Sequence, residues 1–207
     1  MEEWYSDLAK SELYTDVKIA KADIALPATG NATVSFDCPG LGRTRATSQQ
    51  IASPAVETTT SVLTSVNGCV VINGVVTPIT SAQVTIDGHI QPGEAEVGSN
   101  AISDLVRGEV SVSGQFMAKF SNTTLQDRFD DQTNVKLFLV IAENATATAD
   151  FVALTMSAVN IFGDAADDGE AKEIIRTYPF TAKLNGQGTG VNGDLQTILS
   201  IQDSQAV

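Results

Sequence analysis

A two-residue alternation of apolar and polar side chains constrains this chain more than any other feature. Val84 and Ile86 alternate with Thr85 and Asp87. Val110 and Val112 alternate with Ser111 and Ser113, and Phe116, Ala118 and Phe120 carry the pattern on. Tyr178, Phe180, Ala182 and Leu184 repeat it. A period of two places alternate side chains on opposite faces of a strand, so the pattern predicts antiparallel strands with one buried and one wet face. Upstream, Val17, Ile19 and Ile24 sit among polar partners, and Thr33-Val34-Ser35-Phe36 alternates. The most apolar strands are expected at Val135 to Ala142 and Phe151 to Val159, with residues 143–150 turning between them, and a last strand at Leu195 to Ile201. Asn73-Gly74 lies between Val70-Val71-Ile72 and Val75-Val76. That pair readily takes the positive φ angles of a type I′ turn, which predicts a hairpin.

Two helices are expected. Trp4 and Leu8 lie one turn apart, with Glu2 and Glu3 at the favourable end of the dipole. Thr123-x-x-Gln126 reads as a capping box, with Leu125 and Phe129 on one face of a short helix that ends near Asp130 or Asp131 and packs across an open end of a sheet sandwich. Two long connections stand apart. Gly40–Ser61 is rich in Thr, Ser, Gln and Gly, carries Arg43, Arg45, Ile51, Pro54 and Val56, and shows no regular pattern. Gln91–Val106 opens with Pro92-Gly93 and holds Glu94 and Glu96. Connections of this length inside a compact domain are usually functional or disordered.

The charge narrows the function. Lys plus Arg total 12 against 25 Asp plus Glu, a net charge of −13 in 207 residues. Binding to nucleic acid by phosphate neutralisation needs Lys and Arg clusters, and anionic membrane surfaces repel such a chain. The longest apolar stretch, Leu137 to Ala142, is far short of the roughly 20 residues of a membrane helix. The acidic start lacks the apolar segment of a signal peptide, so the Asn-x-Ser/Thr matches at Asn31, Asn122 and Asn144 are read as chance. Cys38 and Cys69 are expected as buried free thiols.

No catalytic constellation is visible. His89, the single histidine, follows Gly88 at a strand end with no nucleophile or carboxylate marked beside it, and is expected at the surface. One His and two Cys cannot fill a conventional zinc site. Asp164-Ala-Ala-Asp167-Asp168-Gly169 fails the calcium-loop pattern, because its third and twelfth positions are Ala166 and Ile175. Asp130-Asp131 reads as an exposed helix end, and Gly186-Gln-Gly-Thr-Gly190 as a turn, since no helix follows it as a dinucleotide site requires. No enzyme activity, metal or cofactor is expected, and the chain reads as a β protein whose surface is its function.

Three stretches resemble bacteriophage tail tube proteins. One is Thr80-Ser-Ala-Gln-Val-Thr-Ile-Asp-Gly88, followed by Val97-Gly-Ser-Asn100 and by Asp104-Leu-Val-Arg-Gly-Glu-Val-Ser-Val-Ser-Gly-Gln-Phe116. The second is Phe120 to Phe129 with its short helix. The third is Asp167-Asp168-Gly169 leading into Thr177-Tyr-Pro-Phe-Thr-Ala-Lys-Leu-Asn185. Glu3-Trp4-Tyr5, Ser11-Glu-Leu and Leu26-Pro-Ala-Thr-Gly30 are similar to the same family. The resemblance implies a mainly β fold, an antiparallel β-sandwich or β-barrel of the tail-tube type with one short helix beside the sheets and long extended loops. It implies residues 1–62 as an N-terminal helix, strands and connecting loop, part of a first half-domain of longer relatives, and residues 63–207 as the sandwich domain.

The implied function is structural. Copies form rings, either hexamers or trimers of pseudo-sixfold symmetry, and the rings stack into the tail tube of a virion assembled in the bacterial cytoplasm. DNA passes through the lumen without specific binding, and other tail proteins are partners. The candidate subunit contacts are Arg43, Arg45, Ile51, Pro54, Val56, Glu94 and Glu96. The competing class is a β-sandwich binding module for carbohydrate or adhesion. Such a face needs exposed aromatics, whereas aromatics here are 6% of the chain and mostly at core-like spacings.

Overall fold

The computed structural model describes residues 1–51, 61–99, 102–120, 123–146, 148–166, 173–186 and 196–204. In chain order the elements are β1 (Glu2–Tyr5), β2 (Lys10–Thr15), β3 (Lys21–Leu26), β4 (Thr33–Asp37), β5 (Gly42–Ala46), β6 (Thr64–Ile72), β7 (Val75–Val76), β8 (Ile79–Asp87) and β9 (Gln91–Pro92). Then follow β10 (Leu105–Val106), β11 (Ser111–Lys119), α1 (Thr124–Asp130), β12 (Val135–Ala142), β13 (Phe151–Ile161), β14 (Ala165–Ala166), β15 (Ile175–Ala182) and β16 (Ser200–Asp203). The fold is mainly β with one short helix among the described residues, as the alternation predicts.

The chain forms two units, each drawn from three separate segments. The first is Met1–Ala22, Phe36–Thr59 and Asp87–Val110; the second is Asp23–Ser35, Thr60–Ile86 and Ser111–Val207.

The second unit holds the core. An eleven-stranded sheet runs in the order β4-β3-β8-β11-β15-β13-β12-β6-β7, with β14 on β15 and β16 on β13. Strand β13 is the corner. Its residues Phe151 to Val159 pair with β12, and Val159, Asn160 and Ile161 pair with Ala182, Thr181 and Phe180 of β15. A strand that changes partner part-way lets the sheet fold over, as at the corners of β-sandwiches. Side chains from both halves therefore share one cluster. Val84, Val112, Phe116, Tyr178 and Phe180 come from one half, and Val70, Leu137, Leu139, Leu154 and Met156 from the other. Each buried aliphatic or aromatic side chain contributes about 1.5–3 kcal/mol relative to exposure. Phe116 stacks on Tyr178 with ring centroids 5.3 Å apart. Burial raises the Tyr178 phenol above its usual range.

Local signals explain several elements. Asn73 and Gly74 have φ of 51° and 84°, so the expected I′-type hairpin joins β6 to β7, paired Val71 to Val76 and Ile72 to Val75. The helix α1 lies where expected, and Leu125 and Phe129 pack against the core. Its capping box does not form. Thr123 is itself helical at φ −85°, its hydroxyl reaches the Asp127 carboxylate at 3.3 Å, and Gln126 turns away to Asp164 at 2.9 Å.

Other expectations are corrected. Trp4 and Leu8 do not share a helix: Glu2–Tyr5 is a strand, and its backbone pairs with Lys10 to Leu13. Val17 and Ile19 precede β3 rather than belonging to a strand, and Ile19 is exposed. Gly40–Ser61 is not wholly irregular, since β5 lies inside it and pairs with β2 from Ala46 opposite Ser11 to Gly42 opposite Thr15. Both cysteines are free, but Cys69 is exposed and Cys38 half-buried. Leu184 lies beyond β15 and is exposed. Leu195, Asp167 to Gly169, Gln187 to Gly190 and Asn122 lie outside the described residues.

Candidate assembly surface

The candidate contact residues that can be located all belong to the first unit. There β2 lies between β1 and β5 in a three-stranded sheet. Antiparallel register brings Glu12 opposite Arg45, next to Arg43. The Glu12 carboxylate accepts from Arg45 Nε at 2.9 Å, from Arg43 Nη1 at 3.4 Å and from the Tyr14 hydroxyl at 3.1 Å. Arg45 foremost holds the Glu12 carboxyl below its usual range, and Glu12 in turn holds the Tyr14 phenol above its own. Arg43 and Arg45 thus fix this sheet internally while their side chains stay largely exposed.

Ile51 is anchored through its backbone. Glu2 accepts the Gln50 N–H at 2.7 Å and the Ile51 N–H at 2.8 Å, and these bonds, Gln50 first, hold its carboxyl low. Ser11, buried, donates its hydroxyl to the Ser48 carbonyl at 2.9 Å. The chain is therefore pinned up to the point where Pro54 and Val56 leave the described residues. Glu94 and Glu96 are exposed, on the connection between β9 and β10, which pair Leu105 to Pro92 and Val106 to Gln91. Lys18 clamps the return of that connection by donating to Asp104 at 2.9 Å and to the Leu105 carbonyl at 2.6 Å. The Lys18 ammonium holds the Asp104 carboxyl below its usual range.

His89 stands at the surface. It has φ of 46°, its Nδ1 is 2.8 Å from the Glu109 carbonyl and 3.7 Å from Asp87. Asp164 pairs with Arg176, whose guanidinium lies 4.4 Å over the Phe120 ring. No group of three His, Cys, Asp or Glu among the described residues is placed to hold a metal.

Sequence reasoning missed where the large sheet ends among the described residues, beyond the bridge that joins Asn31 to Thr64. Strand β4 ends it on one side and β7 on the other. Every residue of β4 is exposed, with Val34 at 51% and Phe36 at 58%. Val75 and Val76 of β7 are each 67% exposed. Open edges lined with apolar side chains are templates for another chain, and monomeric proteins blunt them. The alternation of Thr33 to Phe36 predicts a strand with an apolar face. It does not say whether that face meets the subunit's own core. Trp4, Tyr5 and Phe162 are exposed too, so aromatics are less confined to the core than their spacing suggests.

A model of the phage tail tube protein family matches residues 1–182. The chain belongs to this family. Its members are structural virion proteins, not enzymes. None of the curated proteins compared matches the chain. Among solved structures, this chain matches a chain of the cryo-EM structure of the anti-feeding prophage (AFP) baseplate, 6-fold symmetrised. That likeness has 15% identity, covers 63% of this chain and 92% of the other, and has a TM-score of 0.41.

Proposed function

We propose that copies of this chain close into rings, that the rings stack into the tube of a phage tail, and that DNA travels down the bore. The observation that carries the reading is the pair of unlike strands, β4 and β7, that end the large sheet among the described residues, each carrying exposed apolar side chains. Contacts between unlike surfaces are heterologous: they close a ring when the rotation between copies divides the circle, as six subunits or three pseudo-sixfold ones would, and stacking extends it. Family membership supports the same reading.

The charge fits a conduit. A polyanion must slide, and a carboxylate-rich wall repels phosphate where a basic one would grip it. With 25 acidic and 12 basic residues, the subunit has the composition for such a wall. Arg43, Arg45, Ile51, Pro54, Val56, Glu94 and Glu96 are proposed as further contacts between copies, and other tail proteins as partners at the tube ends. The virion tail is the proposed location.

Sedimentation velocity over a hundredfold concentration range tests self-association. Growth from subunit to rings and stacked species is expected. A single monomeric boundary at every concentration would contradict the reading.

A further inference from the structure

We infer that the turn Glu96–Ser99 of one copy seats in the cavity beside α1 of a neighbouring copy, with Val97 inside it and Glu94 and Glu96 against Lys119 and Arg128. The inference rests on the self-assembly proposed above and names one of its contacts.

The turn is built to present a knob. The Ser99 N–H donates to the Glu96 carbonyl at 3.1 Å, and Gly98 has φ of 93°. That places Val97 and Gly98 at the two central positions of a turn whose second centre requires positive φ, which glycine supplies. Val97 is fully exposed, so none of the described residues covers it. A valine at the tip of a closed turn leaves apolar surface in water that a partner's cavity would remove. The exposed carboxylates of Glu94 and Glu96 precede it.

The cavity is the counterpart. It has a volume of about 360 Å³, and its apolar wall includes Ile72, Val75, Phe120 and Leu125. Its only charged residues among those described are Lys119 and Arg128, with no carboxylate. In a chain with twice as many acids as bases, an apolar cavity whose charged lining residues are two cations matches an apolar knob preceded by two acids. Lys119 holds Glu173 at 2.7 Å in an exposed pair, which an incoming carboxylate exchanges at little cost. Arg128 gives one N–H to Thr133 at 3.3 Å, and a guanidinium has five to give. Each copy carries both knob and cavity, as a heterologous contact requires.

The test is a charge swap read by sedimentation against the wild type. Glu94→Lys with Glu96→Lys should reduce the assembled fraction at least tenfold, as should Lys119→Glu with Arg128→Glu. Combining all four should restore it. Wild-type assembly together with unimpaired assembly of either pair would overturn the contact while leaving the tube reading intact. A wild type that never assembles would remove both. A second measurement does not depend on those variants. In a Cys38→Ser, Cys69→Ser background, protein with Val97→Cys mixed with protein carrying Thr124→Cys should form a disulfide-linked heterodimer on oxidation. Absence of that species in an assembling mixture would also overturn the contact.

Discussion

Gly114 shows how one residue can be fixed by a neighbour far away in sequence. It sits in β11 opposite Phe180, and a Cβ built there would lie 2.1 Å from the Gln83 carbonyl oxygen and 2.8 Å from the Phe180 ring. The carbonyl belongs to a backbone that cannot swing aside. Gly114→Ala should therefore destabilise the second unit by about 1–3 kcal/mol, as overpacking does. Denaturant melts would show it as a lower midpoint; an unchanged midpoint would mean that the strands separate freely. Leu139 is wholly buried, and Leu139→Ala should cost about 2–5 kcal/mol by the same measurement. Residue-level legibility differs between such sites. The requirement at Asn73-Gly74 is local, a tight turn with two positive φ angles, and the sequence displays it. The requirement at Gly114 comes from strand β8 and is invisible until the strands pair. The same holds for Cys69, whose exposure depends on where β6 lies in the sheet.

Among the elements, β1 and β2 teach most about how far a pattern reaches. Trp4 and Leu8 have helical spacing, but two residues one turn apart do not nucleate a helix on their own. The pairing of β2 with both β1 and β5 outweighs it, tied by the Glu12 bonds to Arg43 and Arg45. Nothing local announces β5, because its partner lies some thirty residues earlier. This sheet should be acid-sensitive. The carboxyls of Glu2 and Glu12 are held below their usual ranges, so each contributes stability above its ordinary pKa that is lost as pH falls through the lowered value. At about pH 3, amide exchange corrected for its intrinsic rate should rise at Gln50 and Ile51 while β12 stays protected. Equal protection at pH 3 and pH 6 would show that the Glu2 bonds do not hold that segment. The edge strand β4 gives a different expectation. Val34→Lys with Phe36→Lys adds charge to positions already in water, so the melting midpoint should move little. Assembly by sedimentation should nevertheless be lost, since lysine on an edge opposes pairing. Normal assembly of that variant would remove β4 from the interface.

For the whole molecule, the β class was legible because it is carried by short-range pattern and residue type. The interleaving of three segments in each unit was not, since a linear reading has no measure of which distant stretches meet. Nor does composition say where charge lies, yet the net −13 still sets a rule for association. Copies of like charge repel at low ionic strength, and at 0.1 M salt that repulsion is screened beyond about 10 Å. Exposed ion pairs between copies are worth only about 0–1 kcal/mol each, so their loss in salt is the smaller effect. Light scattering should show assembly rising from low salt to about 0.1 M. A monotonic fall would place attraction between charges, rather than apolar edges, in control.

The central claim is that this subunit builds a tube, and electron microscopy of the purified, concentrated protein tests it most directly. Negative-stain fields should contain rings seen end-on and hollow stacks of uniform width seen side-on. Dispersed single subunits, at concentrations and salt where the protein is folded, would contradict the account.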